Sequence, residues 1–220
     1  MSELLLDQRI TLTDLLDLAV FREVCEAFTQ AFHLGLRVYS ESGQTLIESR
    51  EPNGFCDELA RLPEGLRRCA EARNHLSTQP LSGSTVSQAT SFCGFKYAAF
   101  PLNYQFDFIG RVVLGPYRDG PWSPQRLLES QPKLKKEARS LQGFAEHAPQ
   151  LDPELFKNAV RFLAKALDAF IFVNAKRLIT TRLHLNALLE SRQSALKKLE
   201  EEPAALLLDP ENPAKLKGLF

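Results

Sequence analysis

The chain has 220 residues, 44% of them hydrophobic and 25% charged, which fits one soluble globular domain of ordinary size with an appendage. Its 27 basic and 27 acidic residues cancel, so there is no global field to draw nucleic acid or an anionic membrane surface. No run of about 18 uncharged apolar residues exists, and the short apolar run near Met1 has no basic stretch before it, so neither a membrane span nor a secretory leader is expected. Four cysteines without an export signal are expected to be reduced thiols in a cytoplasmic protein.

Thr11-Leu-Thr-Asp-Leu-Leu-Asp opens a helix with Thr11 or Thr13 as cap. Leu15, Leu18, Phe21, Val24, Cys25 and Phe28 continue it as one apolar stripe, and Gly35 permits a break. Leu36–Ser40 and Gln44–Glu48 read as two short strands around a Ser42-Gly43 turn. Asn53-Gly54 turns the chain again. A short helix from Phe55 to Ala60 and a second from Glu64 to Leu76 follow, and Ser77 to Ser84 reads as loop. Thr85 to Thr90 is a weak strand.

Residues 93 to 119 carry the strongest pattern, an aromatic-rich hairpin. Its first strand is predicted over Phe95 to Leu102 and its second over Phe106 to Leu114, joined by Asn103-Tyr104-Gln105. The period of two places Phe106, Phe108, Gly110, Val112 and Leu114 on one face. Pro101 lacks a donor, so its position should be unpaired or beside a bulge. Five strands with helices between the second and third predict an α+β fold with a mostly antiparallel sheet.

Residues 124 to 149 read as one or two surface helices, with Lys133, Lys135, Lys136 and Arg139 as a solvated face. Asp152-Pro153-Glu154 is a strong helix start. No proline or glycine follows until Pro203, so about 50 residues can form a rod of about 75 Å. Its first half is dense in apolar residues. Its second narrows to Leu178, Leu185, Leu189, Leu196 and Leu199, a heptad-like seam with Arg182 and Arg192 at the missing positions. Such a seam predicts a parallel homodimer. The domain organisation is then a globular domain over 1–175, a coiled-coil-like helix over 176–202, and a tail or the start of a further region over 203–220.

Cys56, Cys69 and Cys93 are the sharpest chemical constellation, each near an element boundary. Three thiols converging on one pocket suit a soft metal or an iron–sulfur cluster, a ligand contact, or a redox role. The plainer reading, which the spacing favours, is buried thiols acting as small apolar groups. No C-x-x-C spacing favours the metal. His33, His75, His147 and His184 are scattered and read as surface or structural. No P-loop, G-x-S-x-G, G-x-G-x-x-G, H-E-x-x-H or kinase signature occurs. The aromatic hairpin is either plain core or the wall of an apolar pocket with phenol hydroxyls as orienting groups.

Several stretches together resemble the PocR sensory-domain family. They are Asp14 to Glu48, Phe55-Cys56, Cys69, Cys93 and Ile109-Gly-Arg-Val-Val-Leu-Gly115, spanning about residues 12 to 175. The resemblance implies a PAS/GAF-like fold that senses small organic molecules at the front of bacterial transcription regulators and sensor kinases of two-component type. The chain departs from the family at Cys93-Gly94-Phe95-Lys96-Tyr97, where the family tends to have Cys-His-x-Gly-Leu. It departs again at Gly115-Pro116-Tyr117, where Gly-Gln-Val is usual.

The expectation is a non-enzymatic, cytoplasmic signal-transduction module without a cofactor or resident metal. Cys56, Cys69, Cys93, Tyr97, Phe100, Gly115 and Tyr117 form the expected ligand site. Leu178, Leu185, Leu189, Leu196 and Leu199 form the dimer contact, and a kinase or transcription-regulator output is the partner. Two rivals stand beside it: an interaction or adaptor domain with a degenerate pocket, and a thiol enzyme using Cys93 or Cys56, which needs a lowered thiol pKa and a nearby base.

Overall fold

In a computed structural model, residues 10–81 and 86–207 are described, the side chains of 201–207 excepted. The run at Met1–Arg9, the end of the predicted 77–84 loop, Thr85 and residues 208–220 lie outside the described residues. The elements in order are α1 (Leu12–Leu15), α2 (Leu18–Phe32), β1 (Leu36–Ser40), β2 (Thr45–Ser49), α3 (Gly54–Arg61), α4 (Pro63–Thr78), β3 (Ser87–Thr90), β4 (Lys96–Tyr104), β5 (Asp107–Tyr117), α5 (Gln125–Ser130), α6 (Ala138–Glu146) and α7 (Pro153–Leu207). A 3-10 turn at Pro132–Lys135 separates α5 from α6.

The five strands form one antiparallel sheet in the order β2-β1-β5-β4-β3, the α+β, PAS/GAF-like arrangement that the sequence implied. Alternation along the strands gives each face its own helices. Leu36, Val38, Ala98, Val112 and Leu114 share one face. A Cβ at Gly110 would lie 2.8 Å from Leu12 of α1, and Ser49 hydrogen-bonds Thr29 of α2 at 2.8 Å, so this face receives α1 and α2. The α2 stripe of Phe21, Cys25 and Phe28 is buried there. The first part of α7 joins it with Phe156, Val160, Leu163, Leu167 and Ile171 at helical spacing, and Phe21 meets Phe170 edge-on at 5.5 Å. Tyr39, Ala99 and Val113 point to the opposite face, against Leu76 of α4.

Residues 10–174 form one compact unit; α7 from Ala175 onward belongs to a second. In that second part Leu178 is half-buried, while Leu185, Leu189, Leu196 and Leu199 are all exposed. The helix runs on past Pro203 to Leu207, further than the sequence had placed it.

Four expectations change. The single N-terminal helix is two, because Asp17 caps α2 by accepting from the amides of Ala19 and Val20. The hairpin turn is Gln105-Phe106, not Asn103-Tyr104-Gln105: Tyr104 pairs with Asp107, and both turn residues have positive φ, at 55° and 98°. Phe106 is therefore fully exposed rather than on the face of Phe108. Residues 124–149 are not a surface appendage either. Leu127, Leu134, Leu141 and Ala145 are buried with Phe55, Leu59, Cys93 and Phe95 in one cluster, their apolar spacing hidden among charged residues. Beside Pro101 the register shifts between Leu102 and Asn103, the bulge that the missing donor called for.

Candidate functional site

A cavity of about 310 Å³ opens between α3, α4 and the sheet, at the small end of the range for ligand pockets. Its position follows from two local devices. Asn53 caps α3: its Oδ1 accepts from the amides of Phe55 at 3.1 Å and Cys56 at 3.3 Å, which fixes the helix end at the cavity wall. Gly65 lets α4 close on α3, since a Cβ there would stand 2.1 Å from the carbonyl oxygen of Leu59. The two helices thus lie tight against each other and leave the space beneath them to the sheet.

On the sheet side, β5 bulges at Gly115-Pro116 opposite Tyr97, with the register shifting between Lys96 and Ala98. Gly115 has φ of 122°, and a Cβ there would lie 2.9 Å from the carbonyl oxygen of Lys96 and 3.0 Å from the Tyr97 ring. Glycine at this position leaves room for the Tyr97 ring beside β5. Tyr97 keeps some exposure through the cavity, yet protein surrounds its hydroxyl closely enough that burial pushes its pKa well above the usual tyrosine value, with the thiols of Cys56, Cys93 and Cys69 adding to the shift. The hydroxyl has no hydrogen-bond partner among the described residues.

Of the seven expected site residues, Cys56, Cys69, Tyr97 and Gly115 line this one cavity. Cys93 sits just behind it, 4% exposed, its sulfur 3.0 Å from the Ser91 hydroxyl and its carbonyl accepting from the Trp122 indole at 2.7 Å. Phe100 is not part of the cavity. It stands three residues from Tyr97 on the same strand, so alternation turns it to the α1–α2 face. Tyr117 lines a separate groove and stacks on Phe156 with ring centroids 4.7 Å apart.

The thiols come together, but as neutral groups. Burial raises the Cys56 pKa, and nearby Cys93 and Cys69 raise it further. Cys69 is pushed up to about 11 by burial and Cys93, against the lowering effect of Arg73. Burial also raises Cys93, partly offset by its bonds to Ser91 and Phe95. Protonated thiols are poor nucleophiles and poor metal ligands. Among the described residues no three His, Cys, Asp or Glu side chains are placed to hold a metal ion.

The sequence reading missed the cavity's polar groups, chiefly Arg37, Arg50, Arg73 and Asn53. Asn53-Gly54 reads as a turn, and a turn residue and a helix cap have the same composition. Arg73 carried a usable signal. Arg67 and Arg68 both have Glu64 and Glu71 at helical pairing distance and form ion pairs with them, whereas Arg73 has no acid three or four residues away.

The sequence matches the model of the sensory domain found in PocR over residues 14–174. The chain belongs to the PocR sensory-domain family. No curated protein matches it. The PocR region ends where the first compact unit ends, at Asn174, and contains the whole of the cavity. Among the described residues no helix is long and apolar enough to cross a membrane.

Proposed function

We propose that this PocR domain binds a small organic ligand in the cavity between α3, α4 and the sheet, and acts as a non-enzymatic sensor. The observation that carries the reading is a cavity of about 310 Å³ lined by Tyr97 and Arg73, whose polar groups have no partner among the described residues, and by Asn53, whose buried Nδ2 lacks one there too. Unpaired groups of this kind next to apolar wall are what a pocket offers a ligand. The raised thiol pKa values favour this reading over redox sensing or thiol catalysis through the cysteines.

A route from the cavity to α7 is built into the end of β5. Gly115 and Pro116 line the cavity, and Arg118 two residues on grips the segment that leads into α7. Its side chain donates to the carbonyls of Ala148 at 3.2 Å and Glu146 at 2.9 Å, and its backbone pairs with Pro149 and Leu151. Pro149 itself lines the cavity. A ligand that moves Pro116 or Pro149 therefore pulls on the start of α7. In this reading the sensory domain is 1–175, and the helix of 176–202 dimerises through Leu178, Leu185, Leu189, Leu196 and Leu199 and hands the state to a kinase or transcription-regulator output in the bacterial cytoplasm. Two-state bias of such a helix pair is how a ligand with differential affinity produces a signal.

The test is a thermal-shift screen of the full chain against small organic compounds, repeated on Ala60→Trp, which fills the cavity. A compound that raises Tm in the native chain and not in the filled variant supports the reading. No stabilising compound, or a shift that survives Ala60→Trp, overturns it in favour of an adaptor with a closed pocket.

A further inference from the structure

We infer that the ligand of this cavity is a small organic anion, a carboxylate held by Arg73 with Asn53 donating to a second polar atom. The inference rests on the ligand-binding reading above and names the chemical class that the walls select.

The cavity's charges are paired unequally. Arg37 and Arg50 line it, but both donate to Glu48, at 2.6 and 2.7 Å. Glu51 is taken by His33 at 3.0 Å. Asp57 is an exposed residue on the first turn of α3. Arg73 is the half-buried cation left over: it has no hydrogen bond or ion pair among the described residues, and its field reaches Cys69 and Tyr39.

Asn53 supplies an independent observation. The residue is 7% exposed and lines the cavity, its Oδ1 is used by the α3 cap, and its Nδ2 is a buried donor with no acceptor. A donor left unsatisfied in a protein interior costs free energy that an incoming acceptor recovers. The first turn of α3, whose end is the positive pole of the helix, forms the same wall. Among the described residues the partnerless side-chain groups Arg73 and Asn53 Nδ2, in the less exposed part of the wall, are donors, while the partnerless carboxylate of Asp57 is exposed. Such a set suits an acceptor-rich ligand, and the fork of a guanidinium fits a carboxylate with two parallel hydrogen bonds. Leu66, Ala60 and the Tyr97 ring are left for a short apolar body.

Isothermal titration of the full chain separates the alternatives. The probes are acetate, propionate, lactate, succinate and benzoate at matched ionic strength, each against its amide or alcohol counterpart, with native protein, Arg73→Gln, Arg73→Lys and Ala60→Trp. At least one carboxylate should bind, its amide or alcohol should bind at least about tenfold more weakly, and Arg73→Gln should lose at least about tenfold while Arg73→Lys keeps part of the affinity. Circular dichroism of each variant confirms the fold. Equal binding of acid and neutral counterpart, or binding unmoved by Arg73→Gln, overturns the anion assignment but, if Ala60→Trp abolishes it, leaves the sensory reading standing. Binding of neither class, in a screen that also fails to raise Tm, overturns both.

Discussion

Arg37 Nε donates to Glu48 Oε1 at 2.6 Å across the β1–β2 pair, and the two residues face each other directly in the register. The same oxygen takes Arg50. One carboxylate thus occupies two of the three arginines in the cavity wall and leaves Arg73 as the one without a partner among the described residues. Burial pushes the Glu48 carboxyl up, but hydrogen bonds and charge from Arg50 and Arg37 outweigh it and hold its pKa below the usual value.

A depressed carboxyl pKa stabilises the fold above the ordinary glutamate range and loses that contribution as pH falls through the folded value. Glu48→Gln should cost about 1–3 kcal/mol at pH 7, because the mostly buried Arg37 is left without its carboxylate. The gap between native and variant in urea midpoints should close as pH drops below about 4.3. A gap that stays constant down to pH 2 would show that the pair contributes nothing through charge.

Gly115→Ala should destabilise the domain by about 1–3 kcal/mol, since φ is positive and the new methyl meets backbone at Lys96 and the Tyr97 ring. It should also weaken whatever stabilisation a ligand gives, because the ring it displaces forms the cavity wall. Chemical denaturation with and without ligand reads both effects; a stability equal to the native protein's would contradict the bulge geometry.

Phe106→Gly should have the opposite sign. Phe106 buries nothing and holds φ at 98°, so glycine removes strain at no packing cost. A gain of about 0.5–1 kcal/mol is expected, visible as a raised urea midpoint with unchanged slope. A loss would mean that the exposed ring makes a contact in solution.

Cys69, with its thiol pushed up to about 11, should alkylate slowly at neutral pH and speed up about tenfold per pH unit to about pH 10. Ligand in the cavity should slow it further, as the residue lines the wall. Mass spectrometry of iodoacetamide-treated protein follows the site directly. Reaction at pH 7.5 as fast as that of a free thiol would restore the redox reading.

The double variant Leu185→Asp and Leu189→Asp should halve the mass seen by light scattering while the circular dichroism of residues 12–175 persists. All but one of the five seam leucines are exposed in a single chain, so a partner helix is their natural cover. An unchanged mass removes α7 from the dimer contact.

The chain's local signals determined its elements: the apolar stripe ending at Phe28, the Ser42-Gly43 turn, the Asp152-Pro153-Glu154 start and the alternating hairpin each depend on near neighbours. They also brought forward, as expected site residues, Cys56 and Cys69 through the cysteine constellation, Tyr97 through the aromatic hairpin and Gly115 through the family resemblance. Strand alternation could have set Phe100 apart from Tyr97 in the sequence, since three residues on one strand mean opposite faces. Tertiary structure alone decided the rest. The core role of residues 124–149 appears only when Leu127, Leu134 and Leu141 meet Phe55 and Cys93, because charged residues between them mask their period. Which arginine lacks a partner among the described residues depends on where Glu48 lies across the β1–β2 register. And the donor at Asn53 is orphaned because its oxygen caps α3 inside a closed wall, a relation between burial and bonding that no linear pattern records.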